Sequence, residues 1–101
     1  LRVGEMELNE AFGQALRDAR KAQGLTQESF SDVSSRTYLS ILERGLKSPT
    51  LEKVDELAGR LGIHPLSLLF RAYLVKDQNQ DFEQLLALVA AQVQPYLRAE
   101  E

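Results

Sequence analysis

The sequence predicts an all-α fold built from six helical segments. Apolar residues recur every three or four positions in successive stretches, which is typical of amphipathic helices. No stretch alternates convincingly between apolar and polar residues, as a half-buried strand would. Capping residues and glycines separate the stretches from one another. With 101 residues, of which 44% are apolar, the chain can build a single hydrophobic core as one domain.

The first predicted helix spans residues 9 to 23, with Asn9 as its N-terminal cap. Its apolar residues recur at the helical period: Leu8, Phe12, Leu16 and Ala19. Thr26 then occupies an N-cap position, where its hydroxyl can accept a hydrogen bond from backbone N–H groups two or three residues on. A second short helix therefore begins at Gln27, with Phe30 as its main core residue.

The third helix is short and covers residues 36 to 44. Ser35 is a suitable N-cap, and Gly45 supplies the left-handed residue that commonly ends a helix. At ~1.5 Å per residue this helix is about 13 Å long and too short to be stable alone, so its order must come from packing. Leu39 and Leu42 share the face that would pack. The other faces carry Arg36, Thr37, Tyr38, Ser40, Ile41 and Arg44.

The segment 27–45 thus predicts two short helices separated by a polar break. Two helices joined by a three- or four-residue turn are the unit that many transcription factors use to hold one helix in the DNA major groove. The net charge of −3 argues against a generally basic nucleic-acid binder. Residues 34–49 are nevertheless locally basic, because they carry Arg36, Arg44 and Lys47 against a single acidic residue. We therefore interpret the third helix as a DNA-binding helix.

Two further helices complete the bundle. Thr50 caps a fourth helix that ends at Gly62. His64 and Pro65 begin a fifth, because proline is favoured at the first helical position. The apolar residues of the fourth helix are Leu51, Val54, Leu57, Ala58 and Leu61. Those of the fifth helix are Leu66, Leu69, Phe70, Tyr73 and Leu74.

A sixth helix is predicted after its cap, Asp81. Its wide apolar stripe consists of Phe82, Leu85, Leu86, Val89, Val93 and Leu97. Pro95 removes one backbone hydrogen bond and should kink or break the helix. Because the first five helices can close a core by themselves, we expect this stripe, with Tyr73 and Leu74, to form a homodimer interface. A two-fold dimer would place two DNA-binding helices roughly 34 Å apart and so match a palindromic operator.

Composition excludes several classes of function. The chain has no cysteine, which rules out disulfides, thiolate zinc sites and cysteine nucleophiles. We expect the single histidine, His64, to be a capping residue ahead of Pro65, because no second His or Cys is present to complete a metal site with it. Glu52, Asp55 and Glu56 fit a solvated helix face near a helix start. We find no Gly-rich phosphate loop, nucleophile elbow or membrane-length apolar run. We therefore expect a cytoplasmic protein that is not an enzyme and uses no cofactor, small-molecule substrate or membrane.

Residues 12 to about 69 resemble the Cro and lambdoid-phage-repressor (XRE) type of helix-turn-helix domain. The matching pieces are ARKAQGLTQE (19–28), SRTYLSILERG (35–45), SPTLEKVDELAGRLGI (48–63) and HPLSLL (64–69). The resemblance implies a lambda-repressor-like bundle of five helices. We accordingly divide the chain into a flexible N-terminus (1–7), a DNA-binding domain (8–75) and a C-terminal dimerisation element (76–101).

The resemblance also implies which residues contact double-stranded DNA. It places Gln27 at the start of the second helix, where side chain and backbone N–H meet a phosphate. It points Arg36 and Thr37 into the major groove, where an arginine can donate two hydrogen bonds to guanine, worth about 1–3 kcal/mol of discrimination. The other implied contacts are Tyr38, Ser40 and Ile41 along or beside the groove, and Arg44, Lys47 and Ser48 on the DNA backbone.

One implied interaction is structural. The resemblance pairs Arg20 of the first helix with Glu43 of the third, and losing one partner could cost several kcal/mol because the other charge would be stranded. The chain also departs from the family pattern. The interval from Gln27 to Arg36 is shorter than usual and lacks the common turn glycine, and Ser31 replaces a usual alanine. We therefore expect a tight turn and a clipped second helix.

The sequence thus favours a homodimeric transcriptional regulator of bacterial or phage type, a repressor that associates with the nucleoid when it is bound to DNA. One alternative is an antitoxin of the same fold, whose tail neutralises a toxin while the domain represses its own operon. A second alternative is a protein-interaction adaptor that does not touch DNA. The acidic net charge is the main support for the adaptor.

Overall fold

The computed structural model describes residues 6–97, and every regular element in this range is helical. The elements are α1 (Leu8–Ala22), a 3-10 turn (Gln27–Phe30), α2 (Arg36–Glu43), α3 (Leu51–Leu61), α4 (Pro65–Lys76), α5 (Phe82–Val93) and a second 3-10 turn (Gln94–Tyr96). The predicted all-α fold is confirmed. Residues 1–5 of the N-terminal segment and 98–101 of the C-terminal element lie outside the described residues. Met6 donates from its backbone N to the carbonyl O of Lys76 at 2.8 Å.

The core is built by the first five elements. α1 packs along α4 and against α2. The largest fully buried side chains are Leu16, Phe30, Leu39, Leu42, Leu57 and Leu68. No residue of α5 is buried. The bundle therefore closes its core without the C-terminal helix, as the sequence predicted.

The predicted apolar side of α4 is only partly correct. Leu68 and Ala72 are fully buried, although neither belonged to the predicted set. Leu66 is 67% exposed and Tyr73 is 47% exposed. Apolar residues surround most of this helix, so helical spacing alone does not select the face that meets α1. Leu51, the first of the apolar residues predicted to follow the helical period of α3, is 81% exposed.

Side-chain caps define most helix starts. The predicted caps Thr26, Ser35, Thr50, His64 and Asp81 each accept a hydrogen bond from a backbone N–H in the first turn. The predicted cap of α1 is wrong, because α1 begins at Leu8 after Glu7, which makes no side-chain cap bond. Asn9 instead accepts a hydrogen bond from Ser48 Oγ at 2.8 Å. It therefore ties the loop after α2 to the start of α1.

The second helix is clipped, as the short interval before α2 predicted. Only one 3-10 turn forms before the chain bends, and the carbonyl O of Phe30 accepts from N of Val33 at 2.9 Å and N of Ser34 at 2.8 Å. Across residues 6–97, positive φ angles occur only at glycines. This turn therefore does not require the glycine that the family commonly places there.

The C-terminal end of α2 lies directly on α1. A Cβ atom added to Gly13 would lie 2.5 Å from the carbonyl oxygen of Leu42 and 2.6 Å from that of Glu43. Just beyond the helix, Gly45 has a φ of 72°, and a Cβ there would lie 2.7 Å from Cα of Glu10. The two glycines thus allow the backbones to approach more closely than side chains would permit.

α5 lies on the outside of the core, and none of its residues is buried. Its main aromatic contact is between Phe82 and Phe70 of α4, whose ring centroids lie 5.4 Å apart in an edge-on arrangement. The helix ends at Val93, and residues 94–96 continue as a 3-10 turn. This break is the one predicted from Pro95, whose missing N–H cannot continue the α-helical pattern.

Replacing Gly13 with alanine should destabilise the fold by about 1–3 kcal/mol, the usual range for overpacking, because the added methyl must push α2 away from α1. Urea denaturation measures this loss. Gly59→Ala is the matched control, since a Cβ at this exposed α3 position meets nothing within 4 Å. Alanine there should stabilise the protein by about 0.4–1 kcal/mol. A Gly13→Ala protein as stable as the unmodified chain would contradict the close approach.

Candidate nucleic-acid interface

One face of α2 is buried in the core, and its N-terminal turn is exposed to solvent. Leu39 and Leu42 are completely buried, with 0% exposure. Arg36 and Thr37 in the first turn are exposed, whereas Ser40 and Ile41 are half-buried. Residues three and four apart share a helix face, so Thr37, Ser40 and Ile41 continue one outward strip. The helix therefore presents polar groups at its N-terminal end, while its leucines hold it in place.

Tyr38 is only half exposed. Its ring packs against the core, and Nζ of Lys53 on α3 lies 6.0 Å from the ring centroid. The predicted contact between Tyr38 and the DNA groove remains a prediction, and it concerns only the exposed part of the ring.

Gln27 is engaged within the protein. Its side-chain Nε2 donates to Glu43 Oε1 at 3.1 Å, and the residue is half-buried. The sequence predicted that Gln27 meets a DNA phosphate. Because a side-chain amide has two N–H donors, the remaining donor and the backbone N–H are the groups on which that prediction rests.

Arg20 and Glu43 form the predicted ion pair. Arg20 Nε donates to Glu43 Oε2 at 2.6 Å and Nη2 donates to Oε1 at 2.8 Å, a bidentate geometry. Nη1 donates to the carbonyl O of Leu25 at 2.8 Å. The Arg20 and Glu43 side chains are 10% and 4% exposed. The Glu43 hydrogen bond raises the pKa of Arg20, so the guanidinium stays charged at every working pH.

Basic residues flank both ends of α2. Arg36 begins the helix, and Arg44 and Lys47 follow it; all three are exposed. Arg17 and Lys21 were not among the predicted DNA contacts; they lie four positions apart on the exposed face of α1. Both line a groove with Arg44, and Lys21 lines a second groove with Arg36. Their spacing of four was the available signal, because it places two cations on one helix face.

The surface around α2 is not uniformly basic. Glu10 and Asp18 line the groove that contains Arg44, and Glu28 lines the groove that contains Arg36. Arg44 Nε also makes a long hydrogen bond of 3.4 Å to the carbonyl O of Ser40. A phosphate would therefore meet separate cations around α2 rather than a broad positive face.

The residues predicted to form a dimer interface lie around α4 and α5. Six of them are 41–50% exposed: Tyr73, Phe82, Leu86, Val89, Val93 and Leu97. Leu74 and Leu85 are half-buried. Leu74, Phe82 and Leu86 line an apolar groove of about 590 Å³ between α1, α4 and α5. The apolar surface of α5 therefore continues into the bundle.

Other chemistry is not supported by this part of the chain. His64 Nδ1 accepts from the backbone N of Leu66 at 3.0 Å, so its predicted role as a cap is confirmed. Among residues 6–97, no group of three or more His, Cys, Asp and Glu side chains could hold a metal ion. None of the helices in that range combines the length and apolarity that crossing a bilayer requires.

A small helical bundle that holds one short helix at its surface, with its polar turn exposed and cations beside it, has the architecture of a helix-turn-helix domain. Residues 16–68 match that family. The chain belongs to the helix-turn-helix family, and the predicted family resemblance is confirmed.

Several relatives support this assignment. The chain is 31% identical over 72 residues to the immunity repressor of Bacillus phage phi105, covering 69% of this chain and 50% of the repressor. It therefore spans half the length of that relative. It is 38% identical to an HTH-type transcriptional regulator of Sinorhizobium fredii, covering 63% of this chain and 86% of the regulator. It is 34% identical to the control protein C.BamHI of Bacillus amyloliquefaciens, covering 57% and 75% respectively.

Solved structures show the same fold. A crystal structure of the clp gene regulator ClgR from Corynebacterium glutamicum has a TM-score of 0.69 and 32% identity, covering 90% of this chain and 98% of that chain. A second structure of ClgR has a TM-score of 0.64 and 35% identity, covering 68% and 92%. These relatives are regulators and not enzymes. The prediction that the chain is not an enzyme is confirmed at the level of its family.

Replacing Arg20 with methionine should destabilise the protein by about 3–5 kcal/mol, because Glu43 keeps a buried charge without its partner. The double variant Arg20→Met with Glu43→Met removes both charges and should recover most of this loss. Chemical denaturation of both variants measures the coupling.

Arg71→Met provides the control. Arg71 lies 4.0 Å from Asp18, and both side chains are 48% exposed, so the loss there should be below about 1 kcal/mol. Equal losses of stability in the Arg20 and Arg71 variants would contradict the stabilising role of the Arg20–Glu43 pair.

Proposed function

We propose that the protein is a sequence-specific DNA-binding transcriptional regulator that inserts α2 into the major groove. The observation that carries this proposal is the seating of α2. Leu39 and Leu42 are fully buried, while Arg36 and Thr37 are exposed at the N-terminal turn. The major groove is about 12 Å wide and admits an α-helix. An arginine at this position can donate two hydrogen bonds to guanine N7 and O6.

The cations near α2 supply contacts with the DNA backbone in this proposal. Arg44 and Lys47 follow the helix, and Lys21 on α1 lies in a groove with Arg36. Ser48 can add a hydrogen bond, although its hydroxyl already donates to Asn9. Such contacts set the register of the protein on the duplex and carry no direct sequence information. Local cations suffice for this purpose, so the net charge of −3 is compatible with binding.

Repression is the proposed mode of regulation. The relatives include a phage immunity repressor and a control protein, and the five-element bundle supplies a complete DNA-binding unit. A protein bound at an operator blocks the site that polymerase needs.

A duplex selected from a random pool should bind more tightly than a scrambled duplex when both are measured by fluorescence anisotropy. Arg36→Ala should cost about 1–3 kcal/mol on the selected duplex and relax the preference at one base position. Lys47→Ala should lower the affinity for both duplexes by the same factor. It should also reduce the slope of log K against log salt by about 1.

Lys76→Ala removes a charge at the C-terminal end of α4, which is not among the predicted DNA contacts. It serves as the control, with no expected change in the salt slope. If the unmodified protein shows no preference among selected duplexes, DNA recognition by α2 is wrong. The adaptor function then becomes the better explanation of the acidic net charge.

We further propose that the regulator is a homodimer joined through α5. No residue of α5 is buried within one chain, and the apolar side chains of this helix are continuous with the groove between α1, α4 and α5. Exposed apolar surface of this kind is a liability unless a partner covers it. A two-fold pair would present two copies of α2 to successive major-groove turns and so recognise a palindromic operator.

Val89→Glu should convert the dimer to a monomer, because it places a charge in the centre of the apolar stripe without disturbing a buried site. Sedimentation equilibrium should then report a mass near 11.4 kDa instead of twice that value. Ala91→Glu adds the same charge on another face of α5 and should leave the dimer intact. A monomeric unmodified protein at micromolar concentration would rule out this interface.

A further inference from the structure

Two cations from α3 hold the first 3-10 turn and the segment that joins it to α2. Arg60 Nε donates to the carbonyl O of Ser29 at 2.9 Å, and Lys53 Nζ donates to the carbonyl O of Val33 at 2.5 Å. Lys53 and Arg60 lie seven positions apart, which is close to two helical turns. They therefore extend from the same face of α3 toward two points of one short segment. We call this pair of residues the α3 clamp.

Each residue of the clamp also lies over an aromatic ring. Cζ of Arg60 is 5.5 Å from the ring centroid of Phe30, and Nζ of Lys53 is 6.0 Å from that of Tyr38. Cations within about 6 Å of a ring centroid are attracted by the ring's negative face. Phe30 is a fully buried core residue, whereas Tyr38 belongs to the first turns of α2. The clamp thus connects the core, the turn and α2.

The shortened second helix explains why such contacts are needed. A 3-10 turn of four residues cannot satisfy all of its own carbonyl groups. The Ser29 and Val33 carbonyls receive charged donors from α3, and charge-assisted hydrogen bonds are stronger than neutral ones. Two nearby carboxylates balance the cations. Glu56 Oε1 lies 2.9 Å from Lys53 Nζ, and Asp32 Oδ1 lies 3.8 Å from Arg60 Nε.

We propose that Lys53 and Arg60 are positioning residues for sequence discrimination. They fix the path of the chain into α2 and thereby set the direction in which Arg36 and Thr37 project. Val33, which Lys53 holds, precedes Arg36 by only three positions, so a shift of this carbonyl changes the start of α2. This inference rests on the proposed function, since it concerns how α2 meets the bases. It assigns a specificity role to residues that need not touch DNA.

Loss of the clamp should affect specific and non-specific binding differently. Non-specific affinity comes from cations that neutralise phosphates. The cations proposed to contact the DNA backbone, Lys21, Arg44 and Lys47, are not part of the clamp. Specific binding needs Arg36 to meet a guanine edge in a fixed geometry. If the segment before α2 becomes less rigid, discrimination between the two duplexes therefore falls, while the affinity for the scrambled duplex is retained.

The test uses Lys53→Met, Arg60→Met and the double variant in the full chain. Methionine keeps an unbranched apolar stem and removes the charged donor. Dissociation constants for the selected and scrambled duplexes are measured at several salt concentrations and at a temperature where circular dichroism shows each protein folded. We expect the dissociation constant for the scrambled duplex divided by that for the selected duplex to fall by about tenfold in the double variant. This is the scale of one lost base contact. The scrambled-duplex constant and the salt slope should stay unchanged.

Three controls accompany the variants. Lys53→Arg and Arg60→Lys keep a charged donor and should restore most of the discrimination. Arg71→Met removes a half-exposed cation from α4 and should leave the ratio unchanged. If one methionine variant fails to fold, the other single variant still decides the question, because each residue holds a different carbonyl.

Amide hydrogen exchange provides a readout that does not involve DNA. The N–H groups of Val33 and Ser34 donate to the carbonyl O of Phe30, inside the segment that the clamp holds. Their exchange should accelerate in the methionine variants relative to the N–H of Ala11, which donates to the carbonyl O of Glu7 at the start of α1. Unchanged exchange overturns the clamp even if the unmodified protein shows no sequence preference, so the two proposals fail separately.

Two binding results would also overturn the inference. One is an unchanged ratio of constants in a folded double variant, which would limit Lys53 and Arg60 to a structural role. The other is an equal loss on both duplexes with a reduced salt slope, which would make them phosphate contacts.

Discussion

The structure depends on the seating of α2 against α1. A helix of eight residues is too short to persist by itself, so its order comes from its contacts. Leu39 and Leu42 supply buried apolar area, and Gly13 lets the last carbonyls of α2 reach the α1 backbone. The bidentate pair between Arg20 and Glu43 closes the same contact. These contacts act on the back and the C-terminal end, and they leave the N-terminal turn exposed.

Glu43 connects the end of α2 to α1 and to the first 3-10 turn. Its carboxylate accepts hydrogen bonds from Arg20 on α1 and from Gln27 on the 3-10 turn. Arg20 also holds the carbonyl of Leu25, so the loop before the turn joins the same network. Within residues 6–97, no buried side-chain N or O lacks a hydrogen-bond partner. The charges are therefore satisfied where they are buried, and stability and the position of α2 depend on the same atoms.

The opposite end of α2 is governed by different contacts. The segment that precedes α2 makes few hydrogen bonds of its own, because the second helix is reduced to one 3-10 turn. Lys53 and Arg60 of α3 donate hydrogen bonds to carbonyl groups of this segment. α1 thus holds the helix by close packing and a buried charge pair, while α3 holds its approach by charged donors to carbonyls. α5 takes no part in either support, because none of its residues is buried. This separation leaves the C-terminal helix available for association while the DNA-binding unit is complete without it.

The sequence by itself determined the features that act over a few residues. Caps such as Thr26 and Ser35 bond to groups three positions away, so residue type and position suffice to predict them. The Arg20–Glu43 pair spans 23 positions and was predictable only through the family resemblance. Tertiary structure alone decided the close approach at Gly13, the Gln27 bond to Glu43 and the buried face of α4. Each depends on which distant element packs alongside, and local spacing carries no such information, least of all for a helix that is apolar on several sides.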